Sequence, residues 1–82
     1  MSHEIQEKLL NFITRNFMVE REEIDFAKSL IDEGIIDSVG LIEIASFIEE
    51  NFLFKIEEDD MNRDNFGSVI KLVRFIAGRV KS

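Results

Sequence analysis

The chain has 82 residues, with 17 acidic side chains against 10 basic ones and a net charge of −7. That length suits one domain whose core hides only about 60% of the unfolded surface, too thin for a deep, dry active site. A small binding, carrier or adaptor module is the better expectation. With no cysteine, disulfide frameworks, thiol nucleophiles and zinc–thiolate sites are excluded. The negative charge opposes nucleic-acid and anionic-membrane partners and favours a basic protein surface. No apolar run reaches the roughly 18 residues of a membrane span, and Met1-Ser2-His3-Glu4 lacks the basic start and apolar stretch of a secretory signal. A reducing, cytoplasmic setting is the expectation.

The absence of proline and the presence of only four glycines predict long helices. In residues 3–18, Ile5, Leu9, Phe12, Ile13 and Phe17 recur at helical spacing. Ser2 is the expected cap, with Glu4 and Glu7 near the positive end of the dipole. Residues 19–36 lose the period. Ile24, Phe26, Leu30, Ile31, Ile35 and Ile36 fall irregularly among charges, as in a long ordered loop pinned to a core.

A second helix is expected over residues 37–52, with Asp37 as its cap. Leu41, Ile44, Ala45, Ile48 and Phe52 form its core stripe. Val39, Ile42, Glu43, Ser46, Glu49 and Glu50 fall mostly on another side. The short apolar stretch 53–56 precedes an acidic helical turn at 57–61. Ser68 can cap a last helix running to about residue 80, which buries Val69, Leu72, Val73 and Ile76 and turns Lys71, Arg74, Arg79 and Lys81 outward. No repeat, low-complexity tract or linker stands out. The expected fold is all-α: a small antiparallel bundle of three main helices plus one short helix, with a long loop between the first two.

His3, the sole histidine, lies at the N-terminus, so no Ser-His pair or histidine metal cluster can be built. No glycine spacing cradles a phosphate. The acidic runs at 32–33 and 57–60 lack the calcium-loop pattern and read as solvated helix starts, with weak divalent-ion binding as the alternative. What survives is Ser38 in Gly34-Ile35-Ile36-Asp37-Ser38-Val39, in the first turn of a helix after a long loop. Unpaired N–H groups and the dipole favour a phosphoryl group at such a place. On these residues alone an ordinary Asp-Ser cap is the better account of the motif.

The stretch from Leu30 to Ile44, with its Gly-Ile-Ile-Asp-Ser-Val-Gly-Leu centre, resembles the attachment segment of acyl carrier proteins. The likeness continues through Phe47-Ile48-Glu49-Glu50-Asn51-Phe52, Ile56 and Asn65-Phe66-Gly67-Ser68-Val69, nearly the whole chain. The resemblance implies that Ser38 carries 4′-phosphopantetheine, transferred from coenzyme A by a phosphopantetheinyl transferase. The arm's thiol would hold an acyl or aminoacyl group as a thioester, so the chain would be no enzyme itself. Asp37 matches the residue before the anchor, a cap and a contact for the transferase. Val39, Ile42, Glu43, Ser46, Glu49 and Glu50 match the partner-facing side that meets basic patches on loading ligases and acyl-transfer enzymes. A monomer is the default for a module that visits several enzymes.

Three departures bear on the pathway. Valine stands at 39 for the usual leucine, Gly40 for the aspartate of fatty-acid carriers, removing a charge and loosening the helix start, and Ser46 for an apolar docking residue. They move the expectation from a housekeeping fatty-acid carrier toward a specialised discrete carrier served by an adenylate-forming ligase, of aminoacyl or D-alanyl type. The isoleucines and phenylalanines can serve as ordinary core or as a lining for a folded-back acyl chain. An alternative of another class is an unmodified helical adaptor for a basic partner.

Overall fold

A computed structural model describes residues 2–80, with side chains described from His3 onward. Four helices follow in order: α1, Ser2–Phe17; α2, Ser38–Phe52; α3, Arg63–Phe66; and α4, Val69–Val80. Short 3-10 turns lie at Arg21–Glu23 and Glu58–Asp60. Among the described residues there is no strand, and no helix is long and apolar enough to cross a membrane. The cap expected from Ser2 and the cation expected at Lys81 lie outside the described side chains.

The three long helices meet along their apolar stripes. Leu9 and Ile13 of α1, Ile44 and Ile48 of α2, and Leu72 and Ile76 of α4 have no exposed surface. Each such side chain contributes roughly 1.5–3 kcal/mol by leaving water. At one end of the bundle Ile5, Phe52 and Val80 line a common hollow, and at the other Phe17 packs on Gly40. Hence α2 and α4 both run antiparallel to α1 and in the same direction as each other. Leu10, outside the predicted stripe, is also buried, because α1 covers α4 as well as α2 and needs a wider apolar face.

The long connection before α2 is built as expected, as an ordered loop nailed down by side chains. Ile24, Leu30 and Ile36 are buried, while Phe26 and Ile35 pack partly buried against the core and Ile31 stays exposed. The Leu30 N–H donates to the Gly67 carbonyl (3.1 Å) and the Ile70 N–H to the Phe26 carbonyl (3.1 Å), tying the loop to α3 and α4. Gly34, at φ +77°, makes the left-handed turn that returns the chain to Ile35, whose N–H donates to the Leu30 carbonyl (3.0 Å).

The helical turn expected at 57–61 is present as a 3-10 turn, closed because Glu57 and Asp60 cap one another through side chain and backbone, and it is followed by a short α-helix that the sequence reading did not include. The short α-helix starts after Asn62, whose side chain accepts from the Asn65 N–H at 3.0 Å. Ser68 caps α4 as expected, its Oγ accepting from the Lys71 N–H at 3.2 Å.

One short echo, absent from the sequence-based expectation, shows in the packing. Residues 12–17 (Phe-Ile-Thr-Arg-Asn-Phe) and 47–52 (Phe-Ile-Glu-Glu-Asn-Phe) share four of six positions and face each other across the α1/α2 seam. Phe12 stacks on Phe47 at 4.3 Å between centroids. Each ring makes an edge contact with the phenylalanine ending its own segment, at 6.2 and 6.3 Å. Asn16 and Asn51 each donate to the carbonyl of their own phenylalanine at 2.8 Å.

Candidate functional site

The start of α2 is set by Asp37. Its backbone is extended (φ −118°, ψ −170°), and its carboxylate accepts from the Gly40 N–H at 2.9 Å. The Leu41 N–H donates to the Asp37 carbonyl at 3.1 Å, closing the first helical turn. Ser38 is the first residue of the helix and is exposed. The hydroxyl therefore stands in solvent beside the N–H groups and positive dipole end of a fifteen-residue helix with no acidic side chain in its first turn.

Around Ser38 the exposed surface is unusually apolar. Val39 is 62% and Ile42 59% exposed. Glu43, Ser46 and Glu50 are exposed as well, so these side chains and Ser38 share the outward side of α2. Glu49 differs from the other two glutamates. It is half-buried, and its Oε2 accepts from the Ile56 N–H at 2.8 Å. That bond secures the segment after α2, where Leu53 closes the helix in the left-handed region (φ 58°). The carboxylate therefore carries a structural duty the sequence pattern does not reveal.

Gly40 corrects the expectation of a loosened helix start. It is buried, and a Cβ there would stand 3.0 Å from Ile36 Cβ and 3.0 Å from Phe17 Cε1. The missing side chain lets the end of α1 close onto the start of α2.

A hollow of about 160 Å³ opens three residues along from Ser38, at Leu41. Its walls include Ser29 and Ile31 from the loop, Leu41 from α2, and Met61, Arg63 and Phe66 from the α3 region. An exposed primary hydroxyl at a helix N-terminus suits the attachment of a phosphoryl group. Among the described residues no group of three or more His, Asp or Glu side chains is placed to hold a metal ion.

The bundle thus presents an exposed serine, Ser38, at the start of its middle long helix. A family profile for phosphopantetheine attachment sites matches residues 7–76. D-alanyl carrier proteins of Streptococcus pyogenes serotype M5 (strain Manfredo), serotype M49 (strain NZ131) and serotype M1 are each 30% identical over 70 residues, covering 85% of this chain and 87% of each relative. The chain belongs to the phosphopantetheine-binding carrier family. Its cofactor is 4′-phosphopantetheine, and its part in the chemistry is carriage rather than catalysis.

Proposed function

We propose that Ser38 is the attachment residue, and that the chain is a specialised discrete carrier of an aminoacyl or short acyl group, D-alanine being the leading cargo. The observation that carries the assignment is the exposed Ser38 at the first position of α2, inside the span matched by the family. Asp37 fixes that turn, the helix N-terminus stabilises the phosphodiester charge, and Val39, Ile42, Glu43, Ser46 and Glu50 offer partners an apolar strip edged with carboxylates. When attached, the arm supplies the thiol that this cysteine-free chain lacks, and its length raises the effective concentration of cargo at a docked active site.

Two features support the short cargo. The relatives are named for D-alanyl carriage. Gly40 also stands packed where a fatty-acid carrier's aspartate could not be accommodated without moving Phe17. Loading belongs to an adenylate-forming ligase, after a phosphopantetheinyl transferase has modified Ser38.

The test is mass spectrometry after incubation with coenzyme A and a broad-specificity transferase. The expected gain is about 340 Da, the mass of the phosphopantetheinyl group, and Ser38→Ala abolishes it. No gain where a control carrier is modified returns the chain to the unmodified-adaptor reading. The modified chain, offered ATP, a ligase panel and candidate acids, is expected to accept a small amino acid. Preferential loading with long fatty acids overturns the cargo assignment.

A further inference from the structure

Four charged side chains flank the stacked Phe12–Phe47 pair, and they are sorted by sign. Lys8 and Arg15 stand on the α1 side, around a concavity of about 250 Å³. Glu43 and Glu50 stand on the α2 side, around one of about 310 Å³ that has Ile42 in its wall. All four are exposed, and among the described residues none of them is in an ion pair within the chain. Because α1 and α2 run antiparallel, Lys8, one turn before Phe12, lies level with Glu50, one turn after Phe47. Arg15 and Glu43 are matched in the same way at the other end. The position of Lys8 Nζ, 5.7 Å from the centre of the Phe52 ring, agrees with that register.

We propose that the α1/α2 seam is a docking face for a second copy of the chain. Positive charge on one side of a line and negative charge on the other is its own complement under a two-fold axis laid along that line. An axis along the seam sets Arg15 against Glu43 of the second copy and Lys8 against its Glu50, and each exchange occurs twice. An axis across the seam opposes like charges instead, so only the first arrangement closes. The same operation lays α1 antiparallel over the second copy's α2. Four helices then enclose two Phe12–Phe47 pairs, each helix antiparallel to both of its neighbours, as in an up-and-down bundle. The partly buried rings and the exposed Ile42 lose their remaining water.

Two opposing effects set the strength. Each copy carries −7, but repulsion between charges more than about 8 Å apart is largely screened at physiological salt, whereas pairs in contact are screened less. The two concavities offer far fewer residues than the roughly 20–30 a side of a stable interface. The dimer is therefore weak, with a dissociation constant on the order of 0.1–1 mM. It covers Ile42, Glu43 and Glu50, so a second copy and an enzyme that uses that strip exclude one another. The inference rests on the charge pattern and is independent of any role for Ser38.

Sedimentation equilibrium of the whole chain is expected to show a weight-average mass that rises toward two chains between about 20 μM and 2 mM. The double variant Lys8→Glu with Arg15→Glu makes both sides of the seam acidic, and Glu43→Lys with Glu50→Lys makes both sides basic. Each alone is expected to associate at least about tenfold more weakly than the wild type. An equimolar mixture of the two regains association, because every contact of the mixed pair again joins opposite charges. A wild-type mass that stays at one chain, folded double variants that associate as the wild type does, or a mixture that does not recover overturns the proposal. The axis is tested separately, since the chain has no cysteine of its own. Under oxidised glutathione, Arg15→Cys mixed with Glu43→Cys is expected to form the mixed disulfide at least about fivefold faster than Arg15→Cys mixed with Glu50→Cys, given how short a Cα–Cα distance the bond requires. Equal rates, or the opposite preference, overturn the two-fold along the seam and the proposal with it. Circular dichroism checks folding, and the wild-type series and the cysteine pairs decide the matter even where a double variant does not fold.

Discussion

Gly40 sits where two opposing effects on a helix can be weighed. An alanine in a helix interior is ordinarily favoured over glycine by about 1 kcal/mol. Here the added methyl would press on Ile36 and Phe17, each at 3.0 Å, and overpacking costs roughly 1–3 kcal/mol. Gly40→Ala is therefore expected to be neutral to mildly destabilising. Gly40→Asp adds a carboxylate that must displace the Phe17 ring, and it is expected to lose about 2 kcal/mol or more despite its favourable place near the dipole. Urea denaturation at unchanged slope checks this, and a Gly40→Asp chain as stable as the wild type refutes the close approach. The two residues that open the helix were more legible than this one. Asp37 and Ser38 announce themselves because a cap is a local motif. Gly40 does not, since its constraint comes from Phe17 on another helix.

The three long helices were readable to within a residue, because α1 and α4 carry a strong apolar period and α2 and α4 carry caps in Asp37 and Ser68. The polar connection after α2 was less so. Its shape depends on which side chain reaches which N–H, as when Asn62 rather than Glu57 starts α3. Glu49 is the sharpest case, since Glu49 and Glu50 look equivalent in the sequence and are not in the fold. Removing Glu49 leaves the Ile56 N–H without its partner, and Ile56 is itself buried. Glu49→Ala is expected to cost about 1–2 kcal/mol, whereas Glu50→Ala should stay within about 0.5 kcal/mol of wild type. Denaturant melts of the two variants side by side decide it. Equal stabilities contradict a structural duty for Glu49.

Over the molecule as a whole, the charge of −7 makes a few cation-mediated ties more consequential than surface pairs usually are. Arg79, near the end of α4, donates to Asp60 Oδ1 at 2.7 Å and to the Lys55 carbonyl at 3.4 Å. Its guanidinium lies 5.0 Å from the Phe75 ring centre and 5.7 Å from that of Phe54. One side chain thus ties α4 to the connection between α2 and α3. The backbone N–H of Glu57, with help from Arg79, holds the Asp60 carboxyl below its ordinary value of 3.8. Arg21, hydrogen-bonded across the start of the loop, likewise holds Glu7 below 4.5. A carboxyl with a depressed value in the folded chain gives stability that is complete above its unfolded value and lost as pH falls through the folded one. The contribution of both groups is therefore full at neutral pH and down to about pH 5, and it drains away below about pH 4. Asp60→Asn and Glu7→Gln are each expected to flatten the acid limb of a thermal-midpoint-against-pH curve while leaving its shape above pH 5 unchanged. Arg79→Met should flatten it less than Asp60→Asn, because the Glu57 N–H, the larger cause, remains. An acid limb equally steep in Asp60→Asn and wild type means that Asp60 does not link α4 to the rest of the bundle.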